Sequence, residues 1–217
     1  MTKAGTSFYT RFAAALGSAV LSFAMMTSPF AAEQLAGRKL VEALKSGGHI
    51  IYFRHFETGA DTPDQHLARY DDCTTQRQLN EKGASDAVRV RDAFLKLGLP
   101  VGDVLASPFC RSWQSADLSF GRHRKVDGLK LPPSKDYTAA DNAAMKATLL
   151  PLLTSAVPAG RNLVIMGHDD NMPATGGPLI KTQGEAVIVK PDGKGGFVVV
   201  AQVQPWFWRA AALGRLK

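Results

Sequence analysis

Four side chains that could handle a phosphoryl group stand at or just after the ends of short apolar runs. They are Arg54, His55, Arg111 and His168. A guanidinium is planar and permanently charged, so it binds phosphoryl oxygens through paired, charge-assisted hydrogen bonds. A neutral imidazole can attack phosphorus and divide the hydrolysis of a phosphoester into two easier steps. Brought together, these residue types predict a site for phosphoryl chemistry.

The apolar runs before these residues predict strands of one buried sheet. Residues 49–53, 101–107 and 162–166 are short and largely apolar, and a polar segment follows each of them. In an α/β sheet the loops that follow parallel strands converge on one edge, where ligands bind. We therefore expect the three polar loops to meet.

Segments with helical periodicity alternate with these strands, which predicts a single layered α/β domain. A glycine-rich turn at 191–196 predicts a hairpin that follows the last of these helices. The segments with apolar residues at helical spacing are 35–45, 81–97, 116–120 and 139–156.

Motifs around these residues follow one another in a family order. Phe-Arg-His-Phe-Glu-Thr at 53–58 resembles the Arg-His-Gly-Glu-Thr signature of the histidine phosphatase superfamily, whose fold is called phosphoglycerate mutase-like. Leu-Asn-Glu-Lys-Gly at 79–83 is similar to that family's Leu-(Ser/Thr/Asn)-x-x-Gly helix start. Residues 106–116 are similar to its Ser-x-x-x-Arg-x-x-x-(Thr/Ser)-Ala segment, and 167–168 to its second histidine.

The resemblance implies a three-layer α/β/α sandwich with a mostly parallel central sheet. It also implies that His55 is phosphorylated during turnover and that Arg54 and Arg111 bind the phosphoryl oxygens. His168 would hydrogen-bond the group from the other side. The expected activity is a phosphomonoester hydrolase that needs no metal ion and no other cofactor. Zinc held by His55, His168 and Asp169 is disfavoured because the adjacent guanidiniums would repel it.

The leaving alkoxide needs a proton donor, and the sequence offers three carboxylates. Asp169 directly follows His168 and resembles the His-Asp pair of the family's acid phosphatase branch, so it is the preferred donor. The mutase branch instead uses a glutamate downstream of the second arginine, but none lies between Arg111 and Asp169. Asp136 and Asp141 fall in roughly that region and are the fallback candidates.

Four polar residues near these motifs are further candidates for substrate binding. Glu57 is expected to be either a helix-start carboxylate or a loop clamp near Arg54. Thr58 and Asn171 would donate hydrogen bonds at the pocket rim, although polar loop residues are commonly just solvated. Arg77 would reach the phosphate or a distal charge of the substrate, or else cap the following helix at the surface.

Two aromatic features bear on packing. Phe56 stands where the family has glycine, so it is expected to narrow the pocket or to stack on a substrate. Residues 206–209, Trp-Phe-Trp-Arg, predict a terminal strand that packs its aromatic rings on the core. Contact of that segment with a membrane surface is the less favoured alternative.

The N-terminal segment has the pattern of a signal peptide. Two basic residues are followed by an uncharged, apolar stretch at 12–26 and then by small residues. We expect 1–32 to be a leader that is cleaved near Ala32, and 33–217 to form one domain exported to the periplasm or beyond. The pattern for cleavage is only half met, so an uncleaved anchor is the alternative.

Export affects the interpretation of the two cysteines. In an oxidising compartment Cys73 and Cys110 could form a disulfide. Two buried free thiols are an equally favoured alternative, because free cysteine packs well in a core.

Charge limits the class of partner. The chain has 26 basic and 19 acidic residues, a formal net charge of +7, and without Lys3 and Arg11 of the leader the charge is +5. Such a surplus favours small anionic substrates, while the scattered basic residues and the lack of a nucleic-acid-binding motif argue against nucleic acid. The expected partner is a small phosphorylated molecule, with membrane contact only through an uncleaved leader.

Two other functions fit the same residues. A non-catalytic, exported module that binds phosphate or sugar phosphate would keep the same fold and the same arginines. A mutase reaction is less favoured, because it needs a pool of small metabolites, which suits a cytoplasmic enzyme better. The variable loop at 59–76 is expected to carry substrate specificity.

Overall fold

The computed structural model describes Met1 and residues 34–59, 68–133 and 136–217. The predicted leader and its cleavage site therefore lie outside the described residues, apart from Met1. Among the residues that are described, every helix is too short or too polar to cross a bilayer.

A six-stranded sheet lies at the centre of the described fold, with the order β3-β2-β4-β1-β5-β6. β1 and β2 both pair in parallel with β4, and β2 also pairs in parallel with β3. β5 is antiparallel to β1 and to β6, which gives the predicted hairpin. The strands are β1 (Ile50–Arg54), β2 (Val101–Ala106), β3 (Arg124–Lys125), β4 (Asn162–Gly167), β5 (Ala186–Pro191) and β6 (Phe197–Val203).

Helices cover both faces of the sheet, so the three-layer sandwich is confirmed. The helices are α1 (Gly37–Ser46), α2 (Glu81–Leu97), α3 (Cys110–Phe120), α4 (Ala139–Thr154), α5 (Asn171–Ala174) and α6 (Trp206–Ala212). Ile51 and Phe53 of β1 pack with α1, α2, α3 and α6 on one face. Ile50 and Tyr52 pack with α4 and α5 on the other. Because β1 is buried on both faces, its sequence is a continuous apolar run.

The strand register aligns the ends of three neighbouring strands. Arg54 at the end of β1 lies opposite Gly167 at the end of β4, so His55 and His168 follow at the same edge of the sheet. β2 runs beside β4 and is followed by Ser107, whose N–H donates to the carbonyl of Met166 at 3.0 Å. The three polar loops therefore meet, as the sequence predicts.

The aromatic segment near the C-terminus forms a helix, so the predicted terminal strand is wrong. Phe207, Trp208 and Ala211 of α6 are buried, which is the spacing of one helical face. Trp206 points outward and is 67% exposed. A single helical turn thus places two rings in the core and one at the surface.

The expectation that Phe56 narrows the pocket or stacks on a substrate is also wrong. Its side chain is 1% exposed and belongs to the core on the α2 side of the sheet, with its ring centroid 6.2 Å from that of Phe53. Gly184 makes room for it, since a Cβ there would lie 2.7 Å from the Phe56 ring. The large side chain of Phe56 therefore packs in the core.

A disulfide joins Cys73 to Cys110, with their Cα atoms 5.7 Å apart. It attaches the short 3₁₀ turn Cys73–Thr75 to the first residue of α3. Of the two alternatives that the sequence leaves open, the structure contains the bridge.

Replacing Cys73 and Cys110 together by serine is expected to lower the free energy of unfolding by about 3–4 kcal/mol. The bridge spans 37 residues, and opening a loop of that length returns conformational entropy to the unfolded chain. Urea denaturation measures the difference, and the unaltered protein in reductant should match the double variant. Equal unfolding free energies for the oxidised protein and the double variant would contradict the prediction.

Candidate active site

Two buried histidines face each other at the ends of β1 and β4. The ring centroids of His55 and His168 are 5.6 Å apart, with an angle of 68° between the ring planes. Their exposed fractions are 3% and 0%. Neither ring is a solvated surface group, and the two lie together at the carboxyl edge of the sheet.

The ring of His55 is fixed in one tautomer. Its Nδ1 lies 2.7 Å from the carbonyl oxygen of Phe56. A carbonyl can only accept, so Nδ1 carries the proton and the lone pair of the neutral ring is on Nε2. Burial lowers the pKa of His55 well below its ordinary value of 6.5, and the charge of Arg111 lowers it further. The ring is therefore neutral and nucleophilic at neutral pH.

His168 is held both at its backbone and at its ring. Its N–H donates to the Tyr52 hydroxyl at 2.9 Å, and that hydroxyl donates to the His168 carbonyl at 2.7 Å. The ring Nε2 lies 2.9 Å from Ser107 Oγ. Burial, then the charges of Arg111 and of His55, lower the pKa of His168 well below 6.5. This ring is also neutral.

Arg111 lies beside His168 as a buried cation. Its guanidinium is 4.3 Å from the ring centroid of Phe109, and one terminal nitrogen lies 3.4 Å from His168 Nδ1. Its Nε has no hydrogen-bond partner among the described residues. Burial lowers the pKa of Arg111 to about 10, with added repulsion from Arg77 and Arg54, so the charge persists at neutral pH. A buried cation with an unused donor suits an anionic ligand.

Arg54 and Asp169 form an ion pair. A terminal nitrogen of Arg54 lies 2.8 Å from Asp169 Oδ2, and another donates to the carbonyl of Lys181 at 2.7 Å. The side chains are 15% and 28% exposed. The preferred proton donor therefore lies next to one of the predicted phosphate ligands.

Asp170 is a second carboxyl at this position, and the sequence analysis does not single it out. It accepts a hydrogen bond from the Tyr137 hydroxyl at 3.1 Å. Burial raises the pKa of Asp170, and the neighbouring charge of Asp169 raises it further. A carboxyl with a raised pKa is a competing candidate for the general acid.

Arg77 and Thr58 form a polar group at the side of the site. Arg77 donates to Thr58 Oγ1 at 2.5 Å, and the Gln183 amide donates to the same oxygen at 3.2 Å. Burial is the main cause of the lowered pKa of His55 and of His168, and the charge of Arg77 adds to it. The role of Arg77 in binding a phosphate stays a prediction.

Other candidates have structural partners of their own. Glu57 pairs with Lys82 at 2.8 Å and accepts from Asn80 at 3.0 Å, so its carboxylate lies at the start of α2. Its role in substrate binding stays a prediction. Asn171 is fully buried, and its Oδ1 lies 3.3 Å from the Tyr52 hydroxyl oxygen. It supports the segment after His168, and its predicted contact with substrate is likewise untested.

The fallback proton donors are Asp136, which precedes α4, and Asp141, which lies in its first turn. Asp141 forms a capping box with Thr138, and the hydrogen bonds from Thr138 lower the pKa of this carboxyl. A lowered pKa does not suit a general acid. Asp136 is exposed. Asp169 and Asp170 are the better candidates.

The donor set at this site does not resemble a metal centre. Within the described ranges, no three His, Cys, Asp or Glu side chains are grouped to hold a metal ion. The two histidines are instead surrounded by guanidiniums, which favour an anion.

Three residues that support the site were missed by sequence analysis as functional positions. Tyr52 and Ser107 hold His168. Gln76 is 1% exposed, and its Oε1 accepts from the N–H of Cys110 at 2.8 Å, next to the disulfide. The signal for Ser107 was its place at the start of the Ser-x-x-x-Arg segment. Tyr52 and Gln76 have no such signal, because their partners are distant in sequence.

The free energy of unfolding is expected to fall as the pH drops below about 6.5. The pKa of His55 and of His168 is lowered in the folded protein, so below 6.5 the unfolded chain binds more protons than the native one. Each histidine then contributes a slope of about 1.4 kcal/mol per pH unit. Urea denaturation between about pH 7.5 and 5.5 measures how the free energy of unfolding changes with pH. His55→Gln removes one of the two histidines, so its slope should be smaller. Identical slopes for the parent and the variant would contradict this assignment.

The fold is similar to the folds of several solved phosphatases. It matches the protein histidine phosphatase SixA in complex with tungstate with a TM-score of 0.53 and 16% identity, covering 72% of this chain and 97% of that one. A putative α-ribazole-5′-phosphate phosphatase from Escherichia coli matches with a TM-score of 0.54 and 13% identity, covering 72% of this chain and 97% of that one. A mutant of phosphoserine phosphatase from Entamoeba histolytica in complex with phosphoserine matches with a TM-score of 0.55 and 13% identity. The match covers 72% of this chain and 97% of that one. No family model and no curated protein sequence matches the chain.

Proposed function

We propose, from this histidine phosphatase fold and the paired histidines at its sheet edge, that the protein hydrolyses phosphomonoesters through a phosphohistidine on His55. In the first step His55 Nε2 forms a bond to phosphorus as the ester P–O bond breaks, and the leaving alkoxide takes up a proton. In the second step water attacks phosphorus and gives a proton to the carboxylate that protonated the alkoxide, the N–P bond breaks, and inorganic phosphate leaves.

The observation that carries the proposal is the hydrogen bond from His55 Nδ1 to the Phe56 carbonyl, in a ring that is buried among cations. The hydrogen bond sets the proton on Nδ1, and the lowered pKa keeps the lone pair on Nε2 available at neutral pH. Arg111 stabilises the charge that develops on the phosphoryl oxygens. Arg54 would bind the same oxygens while it remains paired with Asp169.

The proposal is tested by trapping the intermediate. The purified protein is mixed with a radiolabelled phosphomonoester and quenched in alkali, and the label on the protein is then measured before and after acid treatment. A phosphohistidine is expected to survive alkali and to be lost in acid, and to be absent from His55→Ala. Binding of phosphate or vanadate without turnover of any monoester would replace the enzyme by a binding module of the same fold.

Asp169→Asn is expected to slow an alkyl phosphate by about 10²- to 10³-fold but an activated aryl phosphate by less than about 10-fold. An alkoxide leaves poorly unless it is protonated, whereas an aryl oxide needs little help. Steady-state kcat values for the two substrates measure the contrast. The matched control is Asp170→Asn, which is expected to affect both substrates alike. If Asp170→Asn shows the contrast instead, Asp170 is the general acid.

We also propose that the reaction is metal-independent and that the protein is exported. The guanidiniums around the histidines support the first point, because they would repel a divalent cation. The disulfide between Cys73 and Cys110 supports the second, because such bonds persist in oxidising compartments. We expect full activity in the presence of a strong chelator. We also expect to recover the protein in the periplasmic or extracellular fraction.

A further inference from the structure

Ser107 lies directly behind the second histidine of the site. It follows β2, its side chain is fully buried, and its Oγ lies 2.9 Å from His168 Nε2. The same oxygen accepts from the N–H of Phe109 at 3.4 Å. A hydroxyl has one proton to donate and lone pairs to accept, so Ser107 can satisfy His168 Nε2 whether or not that nitrogen carries a proton.

The other ring nitrogen has a partner that can only donate. A terminal nitrogen of Arg111 lies 3.4 Å from His168 Nδ1. A guanidinium has no acceptor, so Nδ1 presents its lone pair to Arg111. The proton of the neutral ring is then on Nε2 and is donated to Ser107.

A phosphoryl oxygen needs a proton on Nδ1, where Arg111 needs a lone pair. It can only accept, so His168 can hydrogen-bond a bound phosphoryl group through Nδ1 only if that nitrogen carries the proton. Burial, then the charges of Arg111 and His55, lower the pKa of His168, which favours the neutral ring. A neutral ring can meet the requirement by changing tautomer.

We propose that Ser107 is a positioning residue that lets His168 exchange tautomers when a phosphoryl group takes Arg111 away from Nδ1. In this exchange Nε2 loses one proton to solvent and Nδ1 gains one from solvent, so the ring stays neutral. Ser107 changes from accepting to donating. His55 has no such freedom, because its Nδ1 is fixed by the Phe56 carbonyl. This inference rests on the proposed function only in placing the phosphoryl group beside His168.

Long-range ¹H–¹⁵N NMR of the histidine rings tests the exchange directly. Spectra of the full chain are recorded with and without inorganic phosphate, and the signals are assigned with His168→Asn and His55→Asn. We expect the proton of His168 on Nε2 without phosphate and on Nδ1 with it, while His55 keeps its proton on Nδ1 in both states. The same tautomer of His168 in both states, or no binding of phosphate, would overturn the proposal.

A pair of buried serines supplies a matched comparison. Ser107→Ala removes the partner of Nε2, whereas Ser112→Ala removes a buried hydroxyl of α3 that has no hydrogen-bond partner among the described residues. Ser107→Ala is expected to weaken phosphate binding and to lower kcat/KM by about 10- to 100-fold, with no tautomer exchange, while Ser112→Ala leaves both unchanged. Equal losses in the two variants would overturn the role of Ser107.

The two proposals fail in different ways. A tautomer change on phosphate binding, without turnover of any phosphomonoester, would remove the proposed activity and leave the role of Ser107 intact. Turnover through a phosphohistidine with an unchanged His168 tautomer would remove the role of Ser107 and leave the proposed activity intact.

Discussion

His55→Ala is expected to lower kcat for phosphomonoesters by at least about 10⁴-fold. In the proposed reaction no other group replaces the nucleophile, because His168 Nε2 is engaged by Ser107 and its Nδ1 by Arg111. The arginines remain, so the variant should still bind inorganic phosphate. Phosphate release from an aryl phosphate measures the loss, and equilibrium binding of phosphate checks that the pocket is intact.

The matched control for this experiment is His123→Ala. His123 pairs with Asp117 at 2.6 Å and stacks on Trp113 with ring centroids 5.6 Å apart, and neither contact involves the two site histidines. Its removal is expected to leave kcat within about twofold of the parent value. If His55→Ala retained more than about 1% of parental activity, another group would have to be the nucleophile.

Arg111→Ala is expected to lower kcat/KM by about 10³-fold. Arg111 is the buried cation of the site, and a preorganised charge in a water-poor pocket stabilises the phosphoryl oxygens far more than a solvated one. Arg111→Lys should recover only part of the kcat/KM that Arg111→Ala loses, because a lysine supplies the charge without the planar pair of donors. Initial rates at low substrate concentration measure kcat/KM for each variant.

A surface arginine provides the control for loss of charge alone. Arg89 is half exposed and pairs with Asp86 at 2.8 Å on α2. Arg89→Ala removes one positive charge without touching the site, so kcat/KM should stay within about twofold of the parent value. A loss of less than about tenfold in Arg111→Ala would mean that Arg111 does not contact the transferred group.

The strands and the meeting of their loops could be predicted because β1 and β4 are continuous apolar runs that end abruptly in polar residues. The boundaries of α2, 81–97, were predicted as they are observed, because Asn80 caps its start and Gly98, with φ 64°, ends it. In each of these cases the signal lies within a few residues of the structure that it specifies.

Contacts between distant parts of the chain could not be predicted in this way. The direction of Phe56 depends on the space beside Gly184, 128 residues further along the chain. Likewise, the hydroxyl of Tyr52 is recognisable as the support of His168 only once β1 and β4 are paired. The segment 206–209 is short and rich in aromatic residues, which suits a strand as well as a helix, and packing against the core decides between them.

The close approach of Tyr52 to β4 constrains how this sequence can change over time. A Cβ at position 167 would lie 2.2 Å from the Tyr52 hydroxyl oxygen, so the glycine before His168 is required by the ring that crosses over it. Any lineage that places a side chain at 167 must first shorten residue 52 and find another anchor for His168. The two positions should therefore covary among homologues, because a residue with a side chain at 167 needs the space that the Tyr52 ring fills.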